Sequence, residues 1–269
     1  MSPRAAAGPQ APHLLSVERR TVGDPGVFPF SVPAVRALGT LDLRAPVTFF
    51  VGENGSGKST LLEGIAAAAG LPTVGSHDLD DDRTLDAQRT LGRALRLAWR
   101  TRARRGFFLR AEDFFGYLRG RARLDARIER EMAYRPDAID EADGRHVDEV
   151  AARRYLKARD ARSHGESFLD LFERQLDGSG LYLLDEPETP LSPRRQLALL
   201  ALMLDAVRGR AQFVVATHSP ILLAFPGARI YSFDEAPVRE VAYDALEHVT
   251  LTRDFLAAPE RFLRHLGGD

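Results

Sequence analysis

The sequence predicts an α/β fold in which a mostly parallel sheet is flanked by helices. Three observations predict it: an apolar, β-rich run at residues 47–51 stops at a glycine-rich loop, a run rich in leucine and alanine follows at 59–69, and further apolar runs return near residues 181 and 212. Short continuous apolar runs are typical of strands buried on both faces, as in parallel sheets. Leucine and alanine favour helix.

The elements after residue 180 continue this alternation. Residues 181–184, 212–216 and 229–233 predict strands, residues 194–207 predict a helix, and residues 238–241 can pair beside the last strand. Residues 244–266 predict helix with a break at Pro259. Because the carboxyl ends of parallel strands meet at one edge of a sheet, we expect a ligand site there.

The N-terminal part of the chain predicts a different arrangement. Residues 1–12, rich in alanine and proline, offer too little apolar surface to offset the entropy of ordering, and they predict a disordered leader. Residues 14–22 and 41–44 predict short strands separated by a proline-containing stretch, and hence an antiparallel N-terminal edge. The folded domain is therefore expected to span residues 13–269.

The middle of the chain predicts a helical insertion. Residues 85–104 have helical spacing, and residues 106–110 predict a strand. Residues from about 114 to 165 are charged, helix-prone and interrupted near Pro136 and Gly144. We expect them to form an exposed helical lobe inserted in the α/β core.

Composition excludes several classes of protein. The chain has no cysteine, which excludes disulfides, thiolate zinc sites, iron–sulfur clusters and cysteine nucleophiles. No apolar run reaches the roughly 18 to 20 residues that span a bilayer, and the leader lacks the apolar centre of a signal peptide. The formal net charge of −1 gives no overall basic excess. We expect a cytoplasmic protein without membrane insertion.

The loop of residues 52–59 matches the phosphate-binding pattern Gly-x-x-x-x-Gly-Lys-[Ser/Thr]. Its glycines let successive backbone N–H groups turn inward around phosphate oxygens, and the following helix adds the positive end of its dipole. Lys58 is expected to bridge the β- and γ-phosphates of ATP, and the Ser59 hydroxyl to coordinate Mg²⁺. The expected nucleotide-binding residues are Gly52, Glu53, Asn54, Gly55, Ser56, Gly57, Lys58, Ser59 and Thr60.

Lysine is otherwise almost absent, since only Lys58 and Lys157 of the 37 basic residues are lysines. Such a skew indicates a coding bias more than a binding adaptation. A compact ammonium fits between phosphate oxygens in a way that a planar guanidinium does not. A lysine at position 58 therefore supports the phosphate site.

Two adjacent carboxylates, Asp185 and Glu186, follow an apolar strand. Asp185 is expected to hold Mg²⁺ through water, at the strand end where α/β sheets bind ligands. Adjacent residues of a strand point in opposite directions, so we expect Glu186 to face the attacking water and to act as general base.

A third apolar strand ends in a polar turn with His218 at its tip. A single histidine in such a turn is often a hydrogen-bonded structural residue. Strands that end near residues 51, 184 and 216 are, however, expected to bring Lys58, Glu186 and His218 to one sheet edge. This arrangement favours a role for His218 in sensing the γ-phosphate.

Together these motifs resemble those of ATP-binding-cassette-type ATPases, specifically the stand-alone "AAA family" or predicted-ATPase group related to RecF and SMC heads. The run Asp-Glu-Pro at 185–187 resembles the Walker B motif of that group, and Ala-Thr-His-Ser-Pro at 216–220 resembles its switch-histidine turn. The resemblance implies a P-loop NTPase fold, ATP and Mg²⁺ as ligands, and an ATP-dependent homodimer.

The resemblance also implies a signature motif, which caps the γ-phosphate bound by the opposite subunit. Residues 163–166, Ser-His-Gly-Glu, resemble it, with Ser163 and Gly165 as the expected nucleotide contacts. His164 and Glu166 depart from the usual Ser-Gly-Gly-Gln. The alternative is an ordinary capping box, in which Ser163 caps a helix and Glu166 bonds back to it.

Three further features follow from the resemblance. It implies a D-loop at residues 189–192. No glutamine follows the strand at 106–110, so Arg110 or Glu112 would stand in for the Q-loop residue. Phe28 or Phe30 would stack on adenine, although either could equally belong to the core.

These features predict Mg²⁺-dependent ATP hydrolysis that drives closure of a dimer, in a soluble ATPase acting on DNA or a protein partner in repair or defence. The alternative is the ATP-binding subunit of a membrane transporter. A nucleotide-binding regulator with negligible turnover is a third class, and Glu186 argues against it. The arginine-rich stretch 89–130 contains interleaved acidic residues, which favours a solvated helical face over a nucleic-acid surface.

Overall fold

The fold is described from a computed structural model that covers residues 13–21, 23–74, 83–112, 164–176 and 178–266. Its strands are β1 (Leu14–Arg19), β2 (Thr40–Asp42), β3 (Val47–Val51), β4 (Leu95–Trp99), β5 (Gly106–Arg110), β6 (Leu181–Asp185), β7 (Gln212–Ala216), β8 (Arg229–Ser232) and β9 (Arg239–Glu240). Its helices are α1 (Pro33–Arg36), α2 (Lys58–Ala69), α3 (Arg83–Ala94), α4 (His164–Gln175), α5 (Pro193–Arg208), α6 (Pro220–Leu223), α7 (Glu247–Ala257) and α8 (Pro259–Leu266), with a 3-10 turn at Tyr243–Ala245.

A six-stranded sheet forms the centre of the fold. Its order is β5-β6-β7-β3-β8-β9, and each neighbouring pair is parallel except β8 and β9, which are antiparallel. Every residue of β3, β6 and β7 is buried. The predicted mostly parallel α/β sheet is thus confirmed, with the antiparallel β9 at one edge.

The two faces of this sheet are covered by separate groups of elements. Helices α2 and α3 and the short α1 pack on one face, where Phe50 and Val214 point. Helices α4, α5, α6 and α7 pack on the other, where Phe49 and Val215 point. Adjacent residues of one strand therefore enter different cores, which explains why β3 and β7 are apolar at consecutive positions.

The N-terminal strands are antiparallel, as predicted, and they form a sheet of their own with β4 in the order β2-β1-β4. The predicted helix over residues 85–104 is wrong in its second half, because the chain leaves the helix after Ala94 and enters β4. Leu95 pairs with Arg19 and Trp99 with Leu14 across the antiparallel ladder. Hydrogen bonding to β1 outweighs the helix propensity of leucine, alanine and arginine there.

A buried amide connects the two sheets. Gln212, at the start of β7, accepts a hydrogen bond from Leu14 N at 2.7 Å and donates to the carbonyl oxygens of Leu14 and Leu43, both at 2.8 Å. Its side chain is fully buried. The first strand of the antiparallel sheet is therefore fixed to the central sheet by one side chain.

Two predicted regions lie outside the described residues: the leader at 1–12 and nearly all of the lobe at 114–165. Of the lobe, the structure describes only the helical backbone from His164 onward. In the part of the chain that the structure describes, no helix is both long and apolar enough to cross a membrane.

Candidate nucleotide-binding site

The phosphate loop connects β3 to α2 and has the left-handed backbone that its glycines permit. Gly52, Gly55 and Gly57 have φ values of 138°, 83° and 101°, which residues with a Cβ rarely adopt. At Gly57 a Cβ would also lie 2.5 Å from Val32 Cγ1. The hydroxyl of Ser56 is buried and has no partner in the described part of the chain, as expected in a loop whose polar groups face a ligand.

Lys58, the first residue of α2, folds its side chain back over this loop. Its Nζ donates to the carbonyl oxygens of Gly52 at 2.6 Å and Glu53 at 3.0 Å, and the residue is only 4% exposed. Burial lowers the pKa of Lys58, while nearby carboxylates, first Glu186 and then Asp185, oppose that shift. The ammonium thus lies within electrostatic range of the carboxylates that end β6.

The hydroxyl of Ser59, in the phosphate-binding motif, contacts the carboxylate of Asp185. Ser59 Oγ donates to Asp185 Oδ1 at 3.0 Å. Burial raises the pKa of Asp185 to about 7, the Ser59 bond opposes the shift, and the charge of Glu186 adds to it. One hydroxyl and one carboxylate oxygen suit Mg²⁺, which keeps several waters and binds through substrate phosphates. Ser59 and Asp185 would hold that ion, whose charge would offset the burial of the carboxylate.

Glu186 lies just beyond the end of β6 and has a positive φ of 50°. Its N–H donates to Ala216 O at 2.9 Å, so the turn is fixed against β7. The separation of Glu186 from Asp185 therefore comes from a left-handed residue after the strand, not from strand alternation. A non-glycine residue in this conformation costs free energy and is common at functional sites.

His218 follows β7, the strand between β3 and β6. Ala216 pairs in register with Phe50 on one side and with Asp185 on the other, so the three strand ends are neighbours. The backbone N–H of His218 donates to Glu188 Oε1 at 2.7 Å. Its ring nitrogen Nε2 is buried and has no hydrogen-bond partner among the residues that the structure describes.

Three residues of this region were not predicted from the sequence: Glu188, Asp234 and His248. Asp234 Oδ1 accepts a hydrogen bond from the N–H of Glu53, in the phosphate loop, at 2.8 Å. The charges of His218, Asp234 and Glu53 all act on His248. Glu188 has a sequence signal, since it is a charged residue in the turn after the predicted strand; the others follow β8, far from every motif.

The residues considered for the Q-loop and for adenine stacking lie in different surroundings. Arg110, at the end of β5 beside Asp185, is paired with Glu63 at 2.8 Å and Glu112 at 3.4 Å. Phe30 belongs to the core and is only 8% exposed, which favours the core alternative for Phe30, whereas Phe28 is 54% exposed.

The signature residues are described only in part. Gly165 lies in the first turn of α4, while Ser163 lies outside the described residues. Their role at the nucleotide therefore stays a prediction. In the loop at 189–192, the carbonyl oxygen of Leu191 accepts a hydrogen bond from Gln196 Nε2 at 3.1 Å, and Gln196 Oε1 accepts one from Ser219 Oγ at 2.6 Å. This loop is thereby connected to the turn that carries His218.

A parallel sheet with a glycine-rich loop before α2, and a serine–aspartate contact at its edge, defines the class of P-loop NTPases. The chain belongs to the family described as "AAA domain, putative AbiEii toxin, Type IV TA system", whose profile matches residues 75–224. Residues 32–90 match a second family described as "AAA domain". The predicted identification with the AAA group of P-loop proteins is thus confirmed.

A solved structure described as "An inward-facing conformation of a putative metal-chelate type ABC transporter" is similar to the chain with a TM-score of 0.44 and 17% sequence identity. The match covers 90% of this chain and 88% of that chain. No curated protein matches the sequence. Family membership supports ATP binding and hydrolysis as the general activity of this class.

Proposed function

We propose that the chain binds Mg²⁺-ATP at the loop of residues 52–60 and hydrolyses it to ADP and phosphate. The observation that carries the proposal is the 3.0 Å hydrogen bond from Ser59 Oγ to Asp185 Oδ1. It joins the helix that follows the phosphate loop to the strand that ends in two carboxylates. An unrelated loop that matched the pattern by chance would have no reason to make this contact.

The chain's own groups supply binding and orientation. Phosphate oxygens replace the carbonyl oxygens of Gly52 and Glu53 as partners of Lys58 Nζ, while loop N–H groups hold the same phosphates. When bound, Mg²⁺ neutralises the charge that develops on the transferred phosphoryl group. Glu186 accepts a proton from the attacking water, and His218 contacts the γ-phosphate.

Replacement of Glu186 by glutamine tests the catalytic part of this proposal. A positioned base contributes about 10²- to 10⁴-fold to the rate, so Glu186→Gln should bind ATP normally and hydrolyse it at least about a hundredfold more slowly. Phosphate release at saturating ATP measures the rate, and equilibrium titration measures binding. Turnover near that of the unmodified protein would remove Glu186 from this role.

Lys58→Ala tests the binding part. The variant should lose affinity for ATP and ADP alike, because both carry the β-phosphate. Arg36→Ala is a suitable control, since it removes an exposed cation from the short helix α1 without touching the loop. Unchanged ATP affinity in Lys58→Ala would refute the assignment of the loop.

The same proposal includes a homodimer that closes on ATP, with Ser163 and Gly165 of one subunit against the nucleotide of the other. The support is the position of Gly165 in the first turn of α4, since the first N–H groups of a helix have no partner within the helix itself and can bind anions. Light scattering of Glu186→Gln with and without Mg²⁺-ATP measures closure. A monomer under both conditions, at a protein concentration well above micromolar, would contradict it.

One structural observation favours nucleic acid over protein as the further partner. Residues 93–105 contain six arginines and no acidic residue, unlike the rest of the stretch 89–130, and all six are exposed. They are Arg93, Arg96, Arg100, Arg102, Arg104 and Arg105. They lie on the end of α3, on β4 and on the loop to β5, not on the helical face expected for this stretch, and Arg96 pairs with Glu18 at 3.2 Å. Such a surface suits a phosphate backbone.

The test is DNA binding by fluorescence anisotropy across a series of salt concentrations. The double substitution Arg102→Glu with Arg104→Glu should weaken binding and lower the slope of log affinity against log salt by about one or two. Arg239→Glu with Arg261→Glu is the charge-matched control at exposed sites elsewhere. Equal losses in both pairs would indicate non-specific attraction only.

A further inference from the structure

The segment that precedes α7 is packed against the turn that carries His218. Tyr243 Oη donates to Pro220 O, two residues after His218, at 3.1 Å. Leu246 and Val249, on either side of His248, are buried in the same core as the residues of α6. His248 is therefore held beside the switch turn by contacts made on both sides of it.

The charged surroundings of His248 also belong to the nucleotide site. Burial lowers the pKa of His248, and the charge of His218 lowers it further, whereas Asp234 and Glu53 oppose the shift. Asp234 is itself bonded to the N–H of Glu53 in the phosphate loop. His248 thus lies within electrostatic range of the switch histidine and of the loop.

Both imidazole rings have a nitrogen without a partner among the described residues. Nε2 of His218 and Nε2 of His248 are each buried, and neither makes a hydrogen bond within the part of the chain that the structure describes. A buried polar atom without a partner costs free energy, so each one requires an explanation such as an absent ligand. A terminal phosphate, with several acceptor oxygens, can accept hydrogen bonds from both rings at once.

We propose that His248 is a second histidine of the nucleotide site, whose Nε2 donates to an oxygen of the terminal phosphate of ATP alongside His218. The inference rests on the proposed function of the phosphate loop. Neutral imidazole donates from Nε2 when the proton is on that nitrogen, and imidazolium always does. The contact gives helix α7 a bond that exists with ATP and is lost with ADP.

The test compares the affinity for ADP with that for the slowly hydrolysed β,γ-imido analogue of ATP. His248→Ala should weaken binding of the analogue about tenfold or more, as expected for a hydrogen bond to a charged group, and leave ADP affinity unchanged. His248→Gln should recover part of the loss, because its amide nitrogen reaches about as far as Nε2. His248→Asn is shorter and should not.

Leu251→Ala is the matched control, since Leu251 lies about one turn further along α7 and is 53% exposed. It should leave both affinities unchanged. A parallel loss for ADP and the analogue in His248→Ala, or no loss for either, would overturn the inference while the proposed function stands. If the unmodified protein bound neither nucleotide, the proposed function itself would fail.

Discussion

Glu188 Oε1 accepts a hydrogen bond from the backbone N–H of His218 at 2.7 Å. The carboxylate lies in the turn after β6 and the histidine in the turn after β7, so one bond fixes the two turns to each other. Glu188 is largely buried, and burial raises its pKa. Its second oxygen, Oε2, is buried and makes no hydrogen bond to any residue that the structure describes. A carboxylate in this position orients the turn that carries His218 at a cost in stability.

The first prediction concerns the stability of Glu188→Gln against pH. Because the pKa of Glu188 is higher in the folded than in the unfolded state, its contribution to stability is fully present below the unfolded pKa of about 4.5 and is lost as the pH rises through the folded pKa. Glutamine keeps an acceptor for His218 N and does not titrate. The free energy of unfolding of the variant, relative to the unmodified protein, should therefore increase from pH 4.5 to pH 8.

Urea unfolding at several pH values, without nucleotide, measures this trend. Glu260→Gln, at an exposed carboxylate of α8, is the control for the substitution itself. A difference that stayed constant or fell with pH in Glu188→Gln would contradict the prediction. The change of this difference with pH, and not its absolute value, tests the prediction. The buried amide of glutamine adds a cost to the free energy of unfolding that does not vary with pH.

The second prediction concerns Gln212, which connects the two sheets. Gln212→Leu keeps the volume but leaves the N–H and C=O of Leu14 and the C=O of Leu43 without this partner in a buried place. Each buried unsatisfied group costs about 1–3 kcal/mol, and the costs are not additive. We expect a loss of about 2–5 kcal/mol in the free energy of unfolding.

The comparison is the same substitution at a half-buried glutamine. Gln196→Leu removes one bond to Leu191 O and one from Ser219 Oγ, at a site that water reaches more easily. Its loss in the free energy of unfolding should be smaller than that of Gln212→Leu. The reverse order would show that Gln212 does not hold the antiparallel sheet in place.

The sequence was sufficient to predict the elements whose hydrophobic pattern results directly from burial. Strands β3, β5 and β7 have the predicted bounds, because a buried strand of a parallel sheet is apolar at most positions and stops where polarity returns. The phosphate loop was predicted for a similar reason, since its function requires glycines and a lysine at fixed spacing. Such features are local, and a local pattern is enough to find them.

The sequence was insufficient to predict structure that depends on contacts between residues far apart in the chain. Strand β4 has residues that favour helix, and only pairing with β1, about 80 residues away, makes it a strand. The bond between Glu53 and Asp234 joins residues 181 positions apart. Asp234 and His248 belong to no motif, so no pattern of neighbours could have identified them.

The third prediction separates the two effects of Asp234 on the phosphate loop. Its carboxylate orients the N–H of Glu53, which favours nucleotide binding, but its negative charge repels phosphates. Asp234→Asn keeps an acceptor and removes the charge, so ATP should bind more tightly than to the unmodified protein. Asp234→Ala removes both, and it should bind ATP about two- to tenfold more weakly than Asp234→Asn, as expected for one lost hydrogen bond.

The dependence of ATP affinity on salt concentration distinguishes the effect of the Asp234 charge from that of its hydrogen bond. The gain in Asp234→Asn is electrostatic and exposed to solvent, so it should shrink between about 50 mM and 500 mM salt as screening increases. The difference between the asparagine and alanine variants should persist. Equal affinities of the two variants at all salt concentrations would show that the bond to Glu53 does not orient the loop.

The fourth prediction concerns Gly57, whose left-handed conformation connects the phosphate loop to helix α2. Gly57→Ala adds a Cβ at a φ of 101° and 2.5 Å from Val32 Cγ1. The backbone strain alone costs about 1–3 kcal/mol, and the steric clash adds to it. The variant should lose stability and nucleotide affinity together, because the loop relieves the strain by moving its N–H groups away from the phosphate position.

The double variant Gly57→Ala with Val32→Ala relieves the clash but not the strain. It should regain part of the stability, measured by urea unfolding, and little of the affinity. Full recovery of affinity in the double variant would show that crowding by Val32, and not the left-handed backbone, is what requires glycine at position 57.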